Sequence, residues 1–294
     1  MIPLHIAQLT KRYGDRVAVD DLTLSIASGT VFGLIGRNGA GKSTAIACVL
    51  GLLRATSGEV AFFGDPLRSK SFERIAYVPE INCLDAWMTP LQHAEFRRQC
   101  FSRFDAALMR ELLERFEIEP KRALRKLSKG QRQAVALALA FAQRPELMIL
   151  DEPASGLDPV LQRRLSDAIV STAADGVTIV FSSHQIGHVE QAAERIGILD
   201  RGKLVLEADV DDLREERALV EAYFETLPDL TSLRSAITSS IEVDGTLVRV
   251  YANGDAAEVE DRLRALAPVT VSRRAMTIEQ IFFATIGASK EYRG

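Results

Sequence analysis

The chain has 294 residues, with 36 Lys and Arg against 40 Asp and Glu, so its formal net charge is −4. This length predicts one large domain or two ordinary ones, and the near-neutral charge argues against a strongly basic nucleic-acid-binding protein. From this charge we expect no nucleic acid as a partner. Hydrophobic residues at 47% and charged residues at 26% are typical of globular proteins and argue against long disordered segments.

No segment of the sequence is typical of a secreted or membrane-spanning chain. Residues 1–11 lack the charged start, apolar run and cleavage site of a secretory signal. The longest apolar run, residues 134–142, is well short of the ~20 residues that cross a bilayer as a helix. Cys48, Cys83 and Cys100 are an odd number of cysteines without C-x-x-C spacing, so neither a disulfide framework nor a zinc site is indicated. These features predict a cytoplasmic protein.

Residues 4–213 alternate short apolar runs with longer helical stretches, which is the pattern of a layered α/β domain. Four runs are almost continuously apolar, as strands of a parallel sheet covered on both faces are. These runs are residues 31–35, 147–150, 177–181 and 196–199. We therefore predict an α/β domain over residues 1–215, with a mostly helical insertion at about residues 86–127.

After this domain the sequence predicts a smaller α+β unit, residues 216–294. A helical pattern follows Arg217 to about Phe224, and Asp244-Gly245 lies between two alternating runs, which is a strong hairpin signal. A helix, a strand and a last helix are predicted at residues 256–266, 269–271 and 277–286. Dimerisation and regulation are both open roles for this unit.

Residues 36–43 fit the P-loop pattern G-x-x-x-x-G-K-S and lie between an apolar strand and a helix. Glycines let backbone N–H groups turn inward around phosphate oxygens, and the helix that follows directs its positive end at them. The pattern predicts that Lys42 contacts the β- and γ-phosphates of a nucleotide and that the Ser43 hydroxyl binds Mg²⁺. The alternative is an ordinary Gly-rich turn. The other predicted phosphate-binding residues are Gly36, Asn38, Gly39, Ala40, Gly41 and Thr44.

A carboxylate pair follows the apolar run at residues 147–150. A P-loop needs a carboxylate that holds the metal at the end of a neighbouring strand, so Asp151 is the predicted Mg²⁺ ligand. Glu152 is the predicted base toward a water that attacks the γ-phosphate. Asp-Glu-Pro alone often marks only a strand end, and it is the P-loop that favours the catalytic interpretation.

Together these motifs resemble the ATP-binding subunits of ABC transporters, over residues 4–213. The distinctive mark is the signature segment Leu-Ser-Lys-Gly-Gln at residues 127–131, before Asp151. The residues themselves indicate a helix N-terminus, because Ser128 can cap the helix and Gly130 admits a close phosphate. The resemblance implies a P-loop ATPase fold with a largely parallel sheet, an antiparallel β subdomain and a helical insertion.

The resemblance also implies roles for residues outside these motifs. Tyr13 would stack on adenine, Asp158 would lie near a dimer interface, and His184 would contact the γ-phosphate. By residue type alone, an aromatic at a strand end is usually core and a lone histidine is usually structural. Ser128, Gly130 and Gln131 would bind the ATP held by a second cassette.

Two positions depart from the commonest pattern of the family. Glu80 stands where most members carry a Gln that senses metal and water. A carboxylate at this position can still ligate Mg²⁺. It also adds negative charge beside the γ-phosphate. Lys129 replaces the first Gly of the signature and adds a cation near the phosphates.

The implied machine is an ATPase that converts ATP and water to ADP and phosphate. Two cassettes, identical or different, would pack head to tail around ATP and Mg²⁺. A separate polytopic membrane subunit would dock near Glu80 and residues 81–91, and would hold the chain at the inner face of the cell membrane. Trp87 and Met88 are candidates either for the groove in which that subunit would dock or for local core.

The closing segment, residues 276–283, resembles that of ATPases serving exporters with separate membrane subunits. The alternative for this segment is an amphipathic helix that covers a small sheet. The rival class for the whole chain is a soluble ABC ATPase acting on nucleic acid or the ribosome. The sequence has neither the heptad run nor the second P-loop of such proteins, which favours an exporter subunit.

Overall fold

A computed structural model describes residues 2–81, 83–233 and 238–291. The chain divides into two compact units, residues 1–204 and 205–294. The predicted domain division after residue 215 stays a prediction, because compactness does not test which segment acts as a domain.

The strands that begin in the first unit form two sheets, as the sequence predicts. The strands are β1 (Leu4–Tyr13), β2 (Arg16–Ile26), β3 (Val31–Ile35), β4 (Ser57–Phe62), β5 (Asp65–Pro66), β6 (Ile75–Val78), β7 (Leu147–Leu150), β8 (Thr178–Ser183), β9 (Arg195–Asp200) and β10 (Lys203–Asp209). One sheet is antiparallel and has the strand order β2-β1-β4-β5. The other has the order β10-β9-β3-β8-β7-β6, and its strands from β9 to β6 pair in parallel.

The strands at the centre of the parallel sheet are buried along their whole length. Every residue of β3, β7 and β8 is buried, which explains why these strands are almost continuously apolar. Strand β8 continues to Ser183, beyond the predicted end at residue 181, and so carries two serines to the edge where the strands end. The carboxyl ends of parallel strands meet at one edge of a sheet, and the P-loop follows β3 at that edge.

Helices cover this sheet and form the predicted insertion. The helices are α1 (Lys42–Val49), α2 (Pro90–Cys100), α3 (Ala106–Arg115), α4 (Lys129–Ala142), α5 (Pro159–Ala174) and α6 (Ile186–Ala192), with a 3₁₀ turn at Ser69–Glu73. Ser128 caps α4 through a capping box with Gln131, and Thr89 caps α2 through a capping box with Gln92. Helices α2 and α3 and a further 3₁₀ turn at residues 124–126 confirm that the insertion is mostly helical.

The second unit contains α7 (Val210–Glu216), β11 (Arg217–Tyr223), a 3₁₀ turn (Thr231–Leu233), β12 (Thr238–Asp244), β13 (Leu247–Asn253), α8 (Ala256–Arg264), β14 (Thr270–Ala275) and α9 (Ile278–Glu291). Its strands form an antiparallel sheet of order β12-β13-β11-β14 with an apolar core of its own. The hairpin β12–β13 turns at Asp244-Gly245, as the sequence predicts. No described helix in either unit is both long and apolar enough to cross a bilayer.

One predicted element is wrong. The helical pattern expected from Arg217 to Phe224 is strand β11, which pairs with β13 on one side and β14 on the other. Ala218, Leu219 and Val220 are buried in succession, because a central strand covered on both faces shows no alternation of apolar and polar residues. Without that alternation, a short apolar run is equally compatible with a helix.

Candidate functional site

A cavity of about 360 Å³ opens where the loop after β3 enters α1. Gly41 sits in this loop with φ 109°, and a Cβ there would overlap the carbonyl oxygen of Ala18, so both the backbone conformation and the close approach require glycine. The lining residues are Arg16, Ala18, Asn38, Gly39, Ala40, Gly41, Lys42, Ser43, Thr44, Glu80, Glu152 and His184.

Lys42 is a buried cation at the start of α1. Its ammonium group donates a hydrogen bond of 2.8 Å to the carbonyl oxygen of Gly36 and lies 3.3 Å from Oε1 of Glu152. Only 6% of the Lys42 side chain is exposed, so this charge is held in one place with few water contacts. A fixed ammonium at the amino-terminal end of a helix suits the binding of phosphate oxygens.

Glu152 lies between a lysine and a histidine. Its second carboxylate oxygen is 2.8 Å from Nδ1 of His184, and the His184 N–H also donates to it at 3.3 Å. Because a carboxylate oxygen only accepts hydrogen bonds, Nδ1 carries the proton of this contact. Glu152 itself has φ 48°, in the left-handed region, so the chain turns sharply as it leaves β7. The carboxylate is thus 8% exposed and held by two partners at the cavity.

Asp151, one residue earlier, is buried at the end of β7 and does not line the cavity. The Ser182 hydroxyl donates to Oδ1 of Asp151 at 2.6 Å, and the Ser43 hydroxyl donates to the same oxygen at 3.2 Å. Ser182 also accepts the Glu152 N–H at 2.9 Å, so one serine orients both acidic residues. Residue-type reasoning missed Ser182; its signal was a polar pair directly after an apolar strand.

The acidic groups at this edge create a negative field. Burial of Tyr77, with the charge of Asp151 as the next cause, raises the pKa of its phenol to about 12. Glu80, which follows β6, brings a further carboxylate to the cavity that Glu152 also lines. Carboxylate and hydroxyl oxygens are ligands that Mg²⁺ prefers, and it usually takes one or two carboxylates together with substrate phosphates. Ser43, Asp151 and Glu80 thus carry oxygen groups of the kinds that Mg²⁺ takes, and the Ser43 hydroxyl lies 3.2 Å from Oδ1 of Asp151.

The signature residues lie on a second cavity, of about 590 Å³. Gly130 is buried there, and a Cβ on it would lie 2.5 Å from the carbonyl oxygen of Gly156, so this position also requires glycine. None of its described lining residues belongs to the P-loop cavity. They are Phe116, Glu117, Ser128, Gly130, Gln131, Gly156, Asp158, Val160, Leu161 and Arg164.

Tyr13, like Gly36 and Asp151, is a predicted site residue that lines neither cavity. It is 48% exposed, and the Lys11 ammonium lies 4.8 Å from its ring centroid. Arg16, its register partner across the β1–β2 hairpin, lines the P-loop cavity instead, as does Ala18. Sequence reasoning missed Arg16 and Ala18, since neither belongs to a motif.

Comparison with known proteins identifies the family. Residues 19–155 match the family model described as ABC transporter. The chain is 30% identical to the ABC transporter ATP-binding protein YtrB of Bacillus subtilis (strain 168), over 98% of this chain and 100% of that protein. It is 32% identical to the Nod factor export ATP-binding protein I of Rhizobium meliloti (strain 1021), over 97% and 88%. The bacitracin transport ATP-binding protein BcrA of Bacillus licheniformis is 34% identical, over 70% of each chain.

Solved structures agree with this family. One, described as the ATP-binding subunit of an ABC transporter, has a TM-score of 0.66 and 28% identity, over 73% of this chain and 92% of that one. Another is a dimeric post-hydrolysis state of an ATP-binding cassette bound to ADP and Pi, with a TM-score of 0.62 and 25% identity, over 70% and 98%. The chain therefore belongs to the ATP-binding subunits of ABC transporters, and it is an ATPase.

Proposed function

We propose that this ATPase drives a separate membrane-embedded subunit that exports its substrate, and that it lies in the cytoplasm at the inner face of the cell membrane. The observation that carries the proposal is the Lys42–Glu152–His184 cluster, in which a buried lysine and a histidine contact the same carboxylate at the P-loop cavity. The export direction is supported by the names of relatives, which include a Nod factor export ATP-binding protein.

In the proposed reaction, each residue of the cluster has one task. Lys42 binds phosphate oxygens of ATP, and that contact competes with its 3.3 Å ion pair to Glu152. Glu152, once released from Lys42, accepts the proton of the attacking water. His184 orients Glu152 through Nδ1–H, and with a proton on Nε2 as well its ring donates a second hydrogen bond to a γ-phosphate oxygen. Ser43, Asp151 and Glu80 hold Mg²⁺, which supplies charge neutralisation when bound.

The proposed active unit is a head-to-tail pair of cassettes, identical or different. Ser128, Gly130 and Gln131 lie on a different cavity from Lys42, so the signature residues serve the ATP of a second cassette. The dimeric cassette among the solved relatives supports this arrangement. Asp158, at the same cavity, lies near the interface.

The proposed docking segment for the membrane subunit follows Glu80. Ile81 and Trp87 are 76% and 70% exposed, so Trp87 is not local core. The Arg125 guanidinium lies 4.2 Å from the Trp87 ring centroid, and the Arg125 N–H donates to the carbonyl oxygen of Ala86 at 2.8 Å. Arg125 therefore holds the Ala86–Trp87 part of the segment while the Trp87 ring stays exposed, as a docking surface requires.

Transport in proteoliposomes tests the proposal. The chain is purified with its membrane subunit and reconstituted with the cassettes outside, and bacitracin, the substrate in one relative's name, is the probe. With the wild-type chain, we expect added ATP to drive labelled bacitracin into the lumen. We expect the Glu152→Gln chain to bind ATP but to hydrolyse it at less than about 1% of the wild-type rate, because the proposed base is lost. Efflux from preloaded vesicles toward the cassette side on ATP addition would contradict the export direction.

A further inference from the structure

The second unit contains a cavity of about 450 Å³ that has no part in the proposed function. It lies at the end of the sheet where β11 begins and where β13 and β14 end. Three elements bring arginines to it: Arg214 from α7, Arg217 from β11, and Arg273 and Arg274 from β14. The charged groups of opposite sign in the lining are Glu215 and Asp255.

The lining carboxylates do not balance these arginines. Asp255 caps α8, and its Oδ1 accepts the N–H groups of Ala257 at 3.0 Å and Glu258 at 3.1 Å, so its charge serves the helix. Four guanidinium groups against two carboxylates leave a net positive lining. The amino-terminal end of α8, at Ala256 and Ala257, adds a positive dipole to the same cavity.

Three of the arginines have ion pairs that lead away from the cavity. Arg214 is 3.4 Å from Asp211, Arg274 is 3.7 Å from Glu221, and Arg273 is 3.9 Å from Glu260. These pairs are long and solvent-exposed, so each contributes little stability. Arg274 also donates a hydrogen bond of 3.2 Å to Oε1 of Gln280. A guanidinium group has five N–H donors, so one or two such contacts leave most of them available to a ligand.

Arg217 is the deepest of the four and is half-buried. Among the residues that the structure describes, its guanidinium makes neither a hydrogen bond nor an ion pair. Burial lowers the pKa of Arg217, while the charge of Glu216, its neighbour in the chain, acts in the opposite direction. A cation that is partly removed from water without a partner costs free energy, and an anion in the cavity would offset that cost.

We propose that this cavity binds an anion bearing phosphate groups, with Arg217 at its base and Arg214, Arg273 and Arg274 around it. Guanidinium groups pair with phosphate oxygens through two parallel hydrogen bonds, so several of them on one cavity select a multiply charged phosphate over a single carboxylate. The ligand is either a free polyphosphate or the headgroup of an anionic lipid, since both present the same oxygens.

Binding measurements on the full chain test this site. A Lys42→Ala background weakens phosphate binding at the P-loop, and pyrophosphate is titrated calorimetrically at low salt. We expect one saturable site whose affinity falls at least tenfold in the double variant Arg217→Gln, Arg273→Gln, and is unchanged in Arg262→Gln, an arginine of α8 outside the cavity. Sedimentation with phosphatidylglycerol vesicles, against phosphatidylcholine vesicles, distinguishes the lipid headgroup from the free anion.

A second readout does not depend on the folding of a variant. Phenylglyoxal modifies accessible arginines, and mass spectrometry locates the adducts in the wild-type chain. Pyrophosphate or anionic vesicles should protect Arg217 and Arg273 but not Arg262. Absence of saturable binding to both probes, or equal losses in the double variant and in Arg262→Gln, would overturn the site. ATP hydrolysis, measured in parallel on chains with Lys42 intact, reports separately on the proposed function.

Discussion

Glu80 is one of the two residues that we expect to depart from the commonest pattern of the family. Glu80 lines the same cavity as Glu152, and Asp151 is buried at the end of β7. These three carboxylates outnumber the two cationic side chains of the cavity, Lys42 and Arg16, which favours a divalent cation. We therefore expect Glu80 to strengthen the binding of Mg²⁺.

We expect Glu80→Gln to raise the half-saturating Mg²⁺ concentration for ATP hydrolysis about 3- to 10-fold. Loss of a unit charge near a partly buried cation costs on the order of 1 kcal/mol, which corresponds to this range. The measurement is a Mg²⁺ titration of the steady-state rate at fixed ATP. Glu73→Gln, in the exposed 3₁₀ turn before β6, is the matched control. An unchanged Mg²⁺ dependence would mean that Glu80 does not interact with the metal.

At the scale of elements, an ion-pair junction aligns the two strands that carry the acidic residues. Arg74 and Glu146 immediately precede β6 and β7, and the Arg74 carbonyl oxygen accepts the N–H groups of Glu146 at 2.8 Å and Leu147 at 3.1 Å. Their side chains form a two-pronged pair at 3.0 and 2.7 Å, and Arg103 adds a contact of 3.0 Å. This junction joins the starts of the strands whose far ends lead to the site.

We expect Glu146→Gln to destabilise the chain at neutral pH but not in acid. The hydrogen bond from Arg74 lowers the pKa of Glu146, so the ionised form is favoured in the folded state. Its contribution is present above the ordinary carboxyl pKa and is lost as pH falls through the lower folded pKa. The pair is about 40% exposed, so the loss at pH 7 is about 0.5–1 kcal/mol.

Urea unfolding of both proteins at pH 7 and near pH 3 measures this difference. Glu111→Gln, an exposed position on α3, is the control and should change stability little at either pH. A Glu146→Gln deficit that persists undiminished in acid would show that the charge of Glu146 is not what stabilises the junction.

At the scale of the whole molecule, the chain carries two separate cavities. The P-loop cavity is lined by Lys42, Glu152 and His184, while the signature cavity is lined by Ser128 and Gly130 at the start of α4. The backbone around Gly130 lies so close to the carbonyl oxygen of Gly156 that any side chain would push the start of α4 away from the Gly156 turn. Gly130 lines the signature cavity and not the P-loop cavity, so we expect a change there to act first on the signature surface.

We expect a Glu152→Gln chain to form an ATP-bound dimer, and expect Gly130→Ala in that background to weaken the dimer at least tenfold. A Cβ 2.5 Å from the Gly156 carbonyl oxygen shifts the surface that faces the second ATP, while the P-loop still binds nucleotide. Sedimentation velocity with saturating ATP and Mg²⁺ measures the dimer. Gly187→Ala, where a Cβ meets no atom within 4 Å, is the control. Equal dimerisation of both variants would argue against a head-to-tail pair.

The sequence by itself determined the parts of the site that are local in the chain. The P-loop, residues 36–43, and the cap at Ser128 depend on backbone conformations and hydrogen bonds within a few residues, so a short motif specifies them. The hairpin at residues 244–245 is local in the same way. The continuously apolar strands were also predictable, because burial on both faces removes polar positions from them.

Only the tertiary structure decided what depends on contacts between distant segments. The sequence of β11 is compatible with a helix, and its pairing with β13 and β14 makes it a strand. Ser182 reaches Asp151 only because β8 lies beside β7. Arg16 lines the cavity because the P-loop packs against the strand that carries Ala18. The arginine cavity draws its charges from three separate elements, and no motif encodes such a set, because long-range packing and not local conformation brings these charges together.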